Sequence, residues 1–215
     1  MMQTTKVILL RHGECEGGNI LRGQVDVALT GQGEQQMRKA FSALSLVSFQ
    51  SEAEPELAAP QAPEVVLSSP LIRCATMAGR FALLNQLPYS VEAGFRELNF
   101  GDWDGQTFDT LYQNYAHELD NYWANPWLLP PPNGESMQAF ESRIDTAWQT
   151  MLKQHQGKRV LLVTHGGVIR HLMAKALGVN QAAGFYTSLK LSYAATVEID
   201  VLHDGEQQYM TLNWR

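Results

Sequence analysis

A chain of 215 residues, 45% hydrophobic and 18% charged, has the make-up of a packed globular enzyme-sized unit, and this excludes a disordered or membrane-embedded protein. Its 22 acidic residues outnumber 16 basic ones, giving a net charge of −6 with no Lys/Arg-rich run, which argues against nucleic-acid binding. Cys15 and Cys74 are too few for a disulfide framework, and no apolar stretch suits a secretory leader or membrane span, so a cytoplasmic location is expected.

In chain order, Val7-Ile8-Leu9-Leu10 has the β-branched and leucine character of a buried strand, and Arg11-His12-Gly13-Glu14 leads out of it toward Gly17 and Gly18. Leu29-Thr30-Gly31 starts a helix to about Leu44, with Thr30 as its cap. Ser51 to Pro63, rich in Ala, Glu and Pro, reads as a surface loop. Val65-Val66-Leu67 is a second strand, and Pro70 opens a helix to about Asn85 with Arg73 in its first turn. Thr107 to Trp123 reads as helix, and prolines and Gly134 punctuate the stretch beyond it.

A longer helix from Glu135 to about Gln154 buries Met137, Phe140, Ile144, Trp148 and Met151 at helical spacing. Val160-Leu161-Leu162-Val163 is a third buried strand, and Thr164-His165-Gly166-Gly167 joins it to an amphipathic helix from Val168 to Leu177. Leu191–Val201 and Gln208–Trp214 alternate as two strands, with a hairpin across His203-Asp204-Gly205. Strands alternating with helices predict an α/β fold, a three-layer α/β/α sandwich around a mainly parallel sheet. A single domain over 1–215 is expected, with 101–132 as a small helical lid.

Three strand-to-helix junctions thus deliver Arg11, His12, Arg73 and His165 to the carboxyl edge of the sheet, where ligands bind in open α/β folds. Arginine offers a charged fork for phosphate, histidine is a nucleophile or proton carrier near neutral pH, and a helix N-terminus favours an anion. Phosphate monoesters hydrolyse so slowly that enzymes reach accelerations of ~10²¹ on them. A covalent intermediate on an imidazole divides the barrier, arginines stabilise the transferring charge, and a carboxylic acid of raised pKa protonates the leaving oxygen. No cluster has metal-ligand spacing, so neither a metal nor a cofactor is expected.

These residues resemble the histidine phosphatase superfamily, which includes the cofactor-dependent phosphoglycerate mutases. The likeness runs in order through Leu10-Arg11-His12-Gly13-Glu14, Leu29-Thr30-Gly31-Gln32-Gly33, Ser68-Ser69-Pro70-Leu71-Ile72-Arg73, Glu97 to Gly105, Asn133-Gly134-Glu135-Ser136 and Thr164-His165-Gly166-Gly167. It implies His12 as the nucleophile, Glu97 as the acid and base, and Arg11, Arg73 and His165 as holders of the phosphoryl oxygens. The family's asparagine seven residues after the motif arginine is Gly18 here, and Asn19 is the candidate for its role in the phosphate pocket.

Trp103, Tyr112, Tyr115, Tyr122, Trp123 and Trp127 fall in the expected lid, either as its own small core or as faces for an aromatic ring on the substrate. Within the superfamily, Asn121 to Trp127 followed by Pro132 to Ser136 and Phe140 is most similar to the α-ribazole-5′-phosphate phosphatases of cobalamin synthesis. The resemblance therefore implies hydrolysis of a small phosphomonoester, α-ribazole 5′-phosphate ahead of a broad-specificity phosphatase, with mutase activity behind both. An inactive relative that only binds phosphorylated ligands is the non-enzyme alternative, and intact His12 and Glu97 argue against it.

Other residues carry more ordinary expectations. His117, His155, His171 and His203 are read as surface or lid residues, and the two cysteines as small reduced side chains rather than catalytic thiols. Glu14 is a weaker second acid. Asp102 and Asp104 either raise the pKa of Glu97 or face solvent, and Arg22 and Arg96 either reach substrate or lie on the surface. The C-terminal strands offer an edge for a homodimer.

Overall fold

The computed structural model describes residues 2–44 and 62–213. Its strands are β1 (Gln3–Arg11), β2 (Val65–Ser68), β3 (Tyr89–Val91), β4 (Arg159–Thr164), β5 (Thr196–Asp204) and β6 (Gln207–Asn213). They form one sheet in the order β3-β2-β4-β1-β5-β6. The strands β1 to β4 are mutually parallel, β5 runs antiparallel to β1, and β6 antiparallel to β5. The helices are α1 (Gly31–Ser42), α2 (Ile72–Leu84), α3 (Phe108–Ala124), α4 (Met137–Gln154), α5 (Gly166–Leu177) and α6 (Ala183–Ser188).

The period of two along each central strand divides the core into two layers. Ile8, Leu10, Val66, Leu161 and Val163 point to one face and pack with Met37 and Phe41 of α1 and Met77 and Phe81 of α2. Val7, Leu9, Val65, Leu67, Val160 and Leu162 point to the other, against Ile144, Trp148 and Met151 of α4 and Ile169 and Leu172 of α5. The result is the expected three-layer α/β/α arrangement.

Register then builds the site. Arg11 pairs with Thr164, and Val163 with both Leu10 of β1 and Ser68 of β2. Three parallel strands therefore end in step, and Arg11-His12, Ser69 and His165 leave the sheet side by side.

The helices begin within two residues of the expected starts: α2 at Ile72 rather than Pro70, α4 at Met137 rather than Glu135, and α5 at Gly166 rather than Val168. Thr30 caps α1 by accepting from the Gly33 N–H, and Thr107 and Ser136 cap α3 and α4 in the same way. Three features differ. β3 and α6 escape the sequence pattern because the first is an exposed three-residue edge and the second holds Gly184, Thr187 and Ser188, all weaker helix formers than alanine. The strand expected from Leu191 begins only at Thr196, because Ala194 takes a left-handed φ of 55° and residues 191–195 turn back over Arg11 and His12. The loop expected at 51–63 lies, up to residue 61, outside the described residues. No described helix is long and apolar enough to cross a membrane.

Candidate active site

His12 follows β1, buried, and its Nδ1 lies 2.8 Å from the Gly13 carbonyl. A carbonyl only accepts, so Nδ1 carries the hydrogen and the neutral ring keeps its lone pair on Nε2. Burial, then the charges of Arg73 and Arg11, hold the imidazole well below its ordinary pKa. His165 occupies the N-cap of α5, fully buried, with Nε2 2.7 Å from Ser69 Oγ, and burial followed by Arg73 lowers it in the same way. The two rings meet edge to face with centroids 5.3 Å apart.

The guanidiniums sit beside them. Arg73, fully buried, donates to the carbonyls of Val25 (2.8 Å) and Gly23. Arg11 donates to the Leu191 carbonyl, and its Cζ lies 4.5 Å from the Tyr193 ring centroid. Among the described residues neither arginine forms an ion pair, and the Nε of each is buried without a partner. Burial lowers the Arg11 pKa, yet a guanidinium stays charged at any physiological pH. A buried and a half-buried guanidinium, neither in an ion pair among the described residues, beside two neutral imidazoles make a pocket that favours an anion.

Glu97 closes the pocket at the N-terminus of α5. Its Oε2 accepts from the Gly167 N–H at 3.0 Å, and its Oε1 from Leu98 N at 3.1 Å. A Cβ on Gly167 would sit 2.3 Å from Glu97 Oε1, and one on Gly166 would come 3.5 Å from Arg11 Nε. Glycine at 167 is what lets the carboxylate reach the helix end.

Several residues the sequence left unassigned hold this constellation. Arg143 grips Glu135 through two nitrogens (2.9 and 2.8 Å) and also donates to the carbonyls of Gly94 and Arg96, fixing the loop that carries Glu97. Asp104 neither reaches Glu97 nor faces solvent idly. It accepts from the N–H groups of Gly23 (2.9 Å), Gln24 (2.6 Å) and Val25 (3.2 Å), shaping the loop whose carbonyls hold Arg73. Asp102 is tied to Asn133 instead.

The remaining candidates scatter. Asn19 is exposed; its carbonyl accepts from Phe108 N at 3.2 Å, and its side chain joins no hydrogen bond with the pocket. Its neighbours Gly17 and Gly18 both have positive φ, and the turn they make carries Asn19 outward. Glu14 accepts from the Thr30 hydroxyl at 3.2 Å. Arg22 closes its own loop on the carbonyls of Cys15, Glu16 and Gly18, and Arg96 donates to Ala93.

Both cysteines do lie at the pocket, Cys15 Sγ 3.4 Å from His12 Nδ1 and Cys74 Sγ 3.7 Å from His165 Nε2, and burial raises both thiols away from thiolate. His203 and His171 are not surface residues. His203 is buried 2.8 Å from Thr5 Oγ1, and His171 is wedged between Glu141 and Asp145.

Of the aromatics, Trp103 and Tyr122 are buried and meet edge to face, with Phe100, Tyr115 and Trp123 around them. Trp127 packs instead on Tyr186, at a small crevice also lined by Phe185 and Arg170. Among the described residues, no three His, Cys, Asp or Glu side chains gather in a metal-binding group.

A parallel sheet edge that converges two arginines, two histidines and a helix-bound glutamate defines a phosphate-handling class of α/β protein. The family model of the histidine phosphatase superfamily (branch 1) matches residues 7–215, and the chain belongs to that superfamily. It is 27% identical over 197 residues, 89% of each chain, to the adenosylcobalamin/alpha-ribazole phosphatase of Escherichia coli. It is 26% identical over 183 residues, 81% of this chain and 82% of the other, to a 2,3-bisphosphoglycerate-dependent phosphoglycerate mutase of Bartonella tribocorum. The alpha-ribazole phosphatase structure from Shigella flexneri matches with a TM-score of 0.72 at 27% identity, covering 97% of this chain and 95% of that one.

Proposed function

We propose that this chain hydrolyses phosphate monoesters through a phosphohistidine at His12, without a metal ion, and that its substrate is α-ribazole 5′-phosphate. The observation that carries the reaction is a neutral His12, its Nδ1 held by Gly13, beside Arg11 and Arg73, which form no ion pair among the described residues. In the first step the Nε2 lone pair attacks phosphorus, the ester P–O bond breaks, and Glu97 gives its proton to the leaving alkoxide. In the second, Glu97 takes a proton from water, the oxygen attacks phosphorus, and the N–P bond breaks to release inorganic phosphate and restore His12. Arg11, Arg73 and His165 hold the phosphoryl oxygens throughout, supplying fixed charge where it develops. The segment 101–132 is the lid over this pocket.

The α-ribazole phosphatases among the relatives support the substrate, with the dephosphorylated α-ribazole then serving the cobalamin nucleotide loop. A second reading, a broad-specificity phosphatase, is favoured by one feature: Trp103 and Tyr122 are buried edge to face against each other rather than exposed to a ligand. Phosphate release from α-ribazole 5′-phosphate, 3-phosphoglycerate, phosphoserine and a nucleoside monophosphate, all in EDTA, separates these readings. A preference of about a hundredfold in kcat/KM for the ribazole ester upholds the first, and equal turnover the second. Loss of activity in EDTA with recovery on Mg²⁺ contradicts the metal-independent mechanism, and no release from any ester leaves the binding-only alternative.

A further inference from the structure

Arg11 has to keep its charge and part of its fork available for an anion, so what holds it in place cannot be a carboxylate. The segment 191–195 does this instead. The Leu191 carbonyl accepts from Arg11 Nη1, the Ala195 carbonyl accepts from Arg11 N at 3.0 Å, and Ala194 N donates to the His12 carbonyl at 3.2 Å. Between these anchors the left-handed backbone at Ala194 (φ 55°) carries the half-buried Tyr193 ring against the guanidinium, Cζ 4.5 Å from its centroid. The same ring lies 6.0 Å from the His12 ring, tilted by 43°. One aromatic side chain thus touches both residues of the Arg11-His12 pair.

We propose that Tyr193 is a positioning residue for phosphoryl capture, its ring face orienting the Arg11 guanidinium beside His12 without taking up the donors that the Leu191 carbonyl leaves free. This rests on the phosphoryl-transfer reading of the pocket. A π face suits the task because it attracts a cation without accepting its N–H groups or cancelling its charge. An aliphatic side chain would fill the space and lose the attraction, and an acid would neutralise the pocket.

The test compares Tyr193→Phe, Tyr193→Trp and Tyr193→Leu in phosphate release and in affinity for vanadate and inorganic phosphate, measured by calorimetry, with melting curves confirming fold. The phenylalanine and tryptophan variants keep a ring face and are expected within about threefold of the parent. The leucine variant is expected to lose about tenfold in kcat with KM nearly unchanged, and its vanadate affinity to fall by the same factor. Parent-like vanadate binding and kcat in the leucine variant overturns the proposal. So does an equal loss in the phenylalanine variant, which would assign the role to the hydroxyl. Should the parent turn over no ester at all, the anion-binding comparison still decides the role of Tyr193.

Discussion

At the N-terminus of α5, Arg11, Arg73, His12 and His165 gather without an ion pair among the described residues, whereas further along the same helix His171 and Lys175 are matched by carboxylates. There His171 lies 2.8 Å from Asp145 and 3.5 Å from Glu141, and Lys175 reaches Asp145 at 3.2 Å, tying α5 to α4. The helix therefore supports two opposite uses of charge. The paired cluster satisfies itself and stabilises the fold, while the unpaired one carries an electrostatic cost that an incoming anion relieves. The fold tolerates such a pocket because the main chain holds each cation: carbonyls of residues 23 and 25 for Arg73, and that of residue 191 for Arg11.

Neutralising a charge in each cluster gives the largest contrast. Arg73→Met is expected to lower kcat by about 10²–10³-fold, as loss of one preorganised oxyanion donor does. Lys175→Met, in the paired cluster, is expected to leave kcat unchanged and to shift only the melting temperature. Steady-state kinetics on both variants check this, and equal losses would erase the distinction.

A smaller effect is expected one step removed from the cations. Asp104→Asn keeps the shape but weakens three charge-assisted hydrogen bonds to the loop that holds Arg73. Phosphate affinity and kcat/KM should fall together by about tenfold, and calorimetry with inorganic phosphate reads the first directly.

The smallest effect is one of pH. Burial pushes His171 down, but its hydrogen bonds to Asp145 and Glu141 outweigh this and hold it above the ordinary histidine value. Its stabilisation is therefore complete below the unfolded histidine pKa of about 6.5 and fades as pH rises through the folded value. The parent is expected to exceed His171→Asn in stability by on the order of 1 kcal/mol in mild acid and by less in mild alkali. Asp145 acts in the opposite sense. Burial raises its pKa, His171 and Lys175 lower it further than that, and its contribution is lost as pH falls through the depressed value. Urea titrations across the range measure both; a gap between parent and His171→Asn that widens with rising pH would contradict the pairing.

What the sequence made legible was whatever lies at the end of an apolar run. Leu10 into Arg11-His12 and Val163 into Thr164-His165 announce both the strand and the exposed edge, and the register of β1 with β4 follows from burying both runs. Glu135, Arg143 and Asp104 were not legible in their roles because each acts on main-chain groups of a segment distant in sequence, and no periodicity records such a partner. Tyr193 was hidden for a related reason. It reads as part of a β pattern, and only the left-handed Ala194 turns it toward Arg11. Asn19 was named because proximity to the motif in sequence suggests proximity in space, whereas here it follows the turn at Gly17 and Gly18 and is exposed.

The central claim is that His12, neutral and facing unpaired arginines, takes the phosphoryl group. Rapid mixing with a radiolabelled phosphomonoester, an alkaline quench and peptide mapping test it most directly. The account predicts an acid-labile, base-stable label on the peptide containing His12, formed at least as fast as turnover and absent in His12→Ala. Turnover with no labelled histidine, or a label on any other residue, would contradict it.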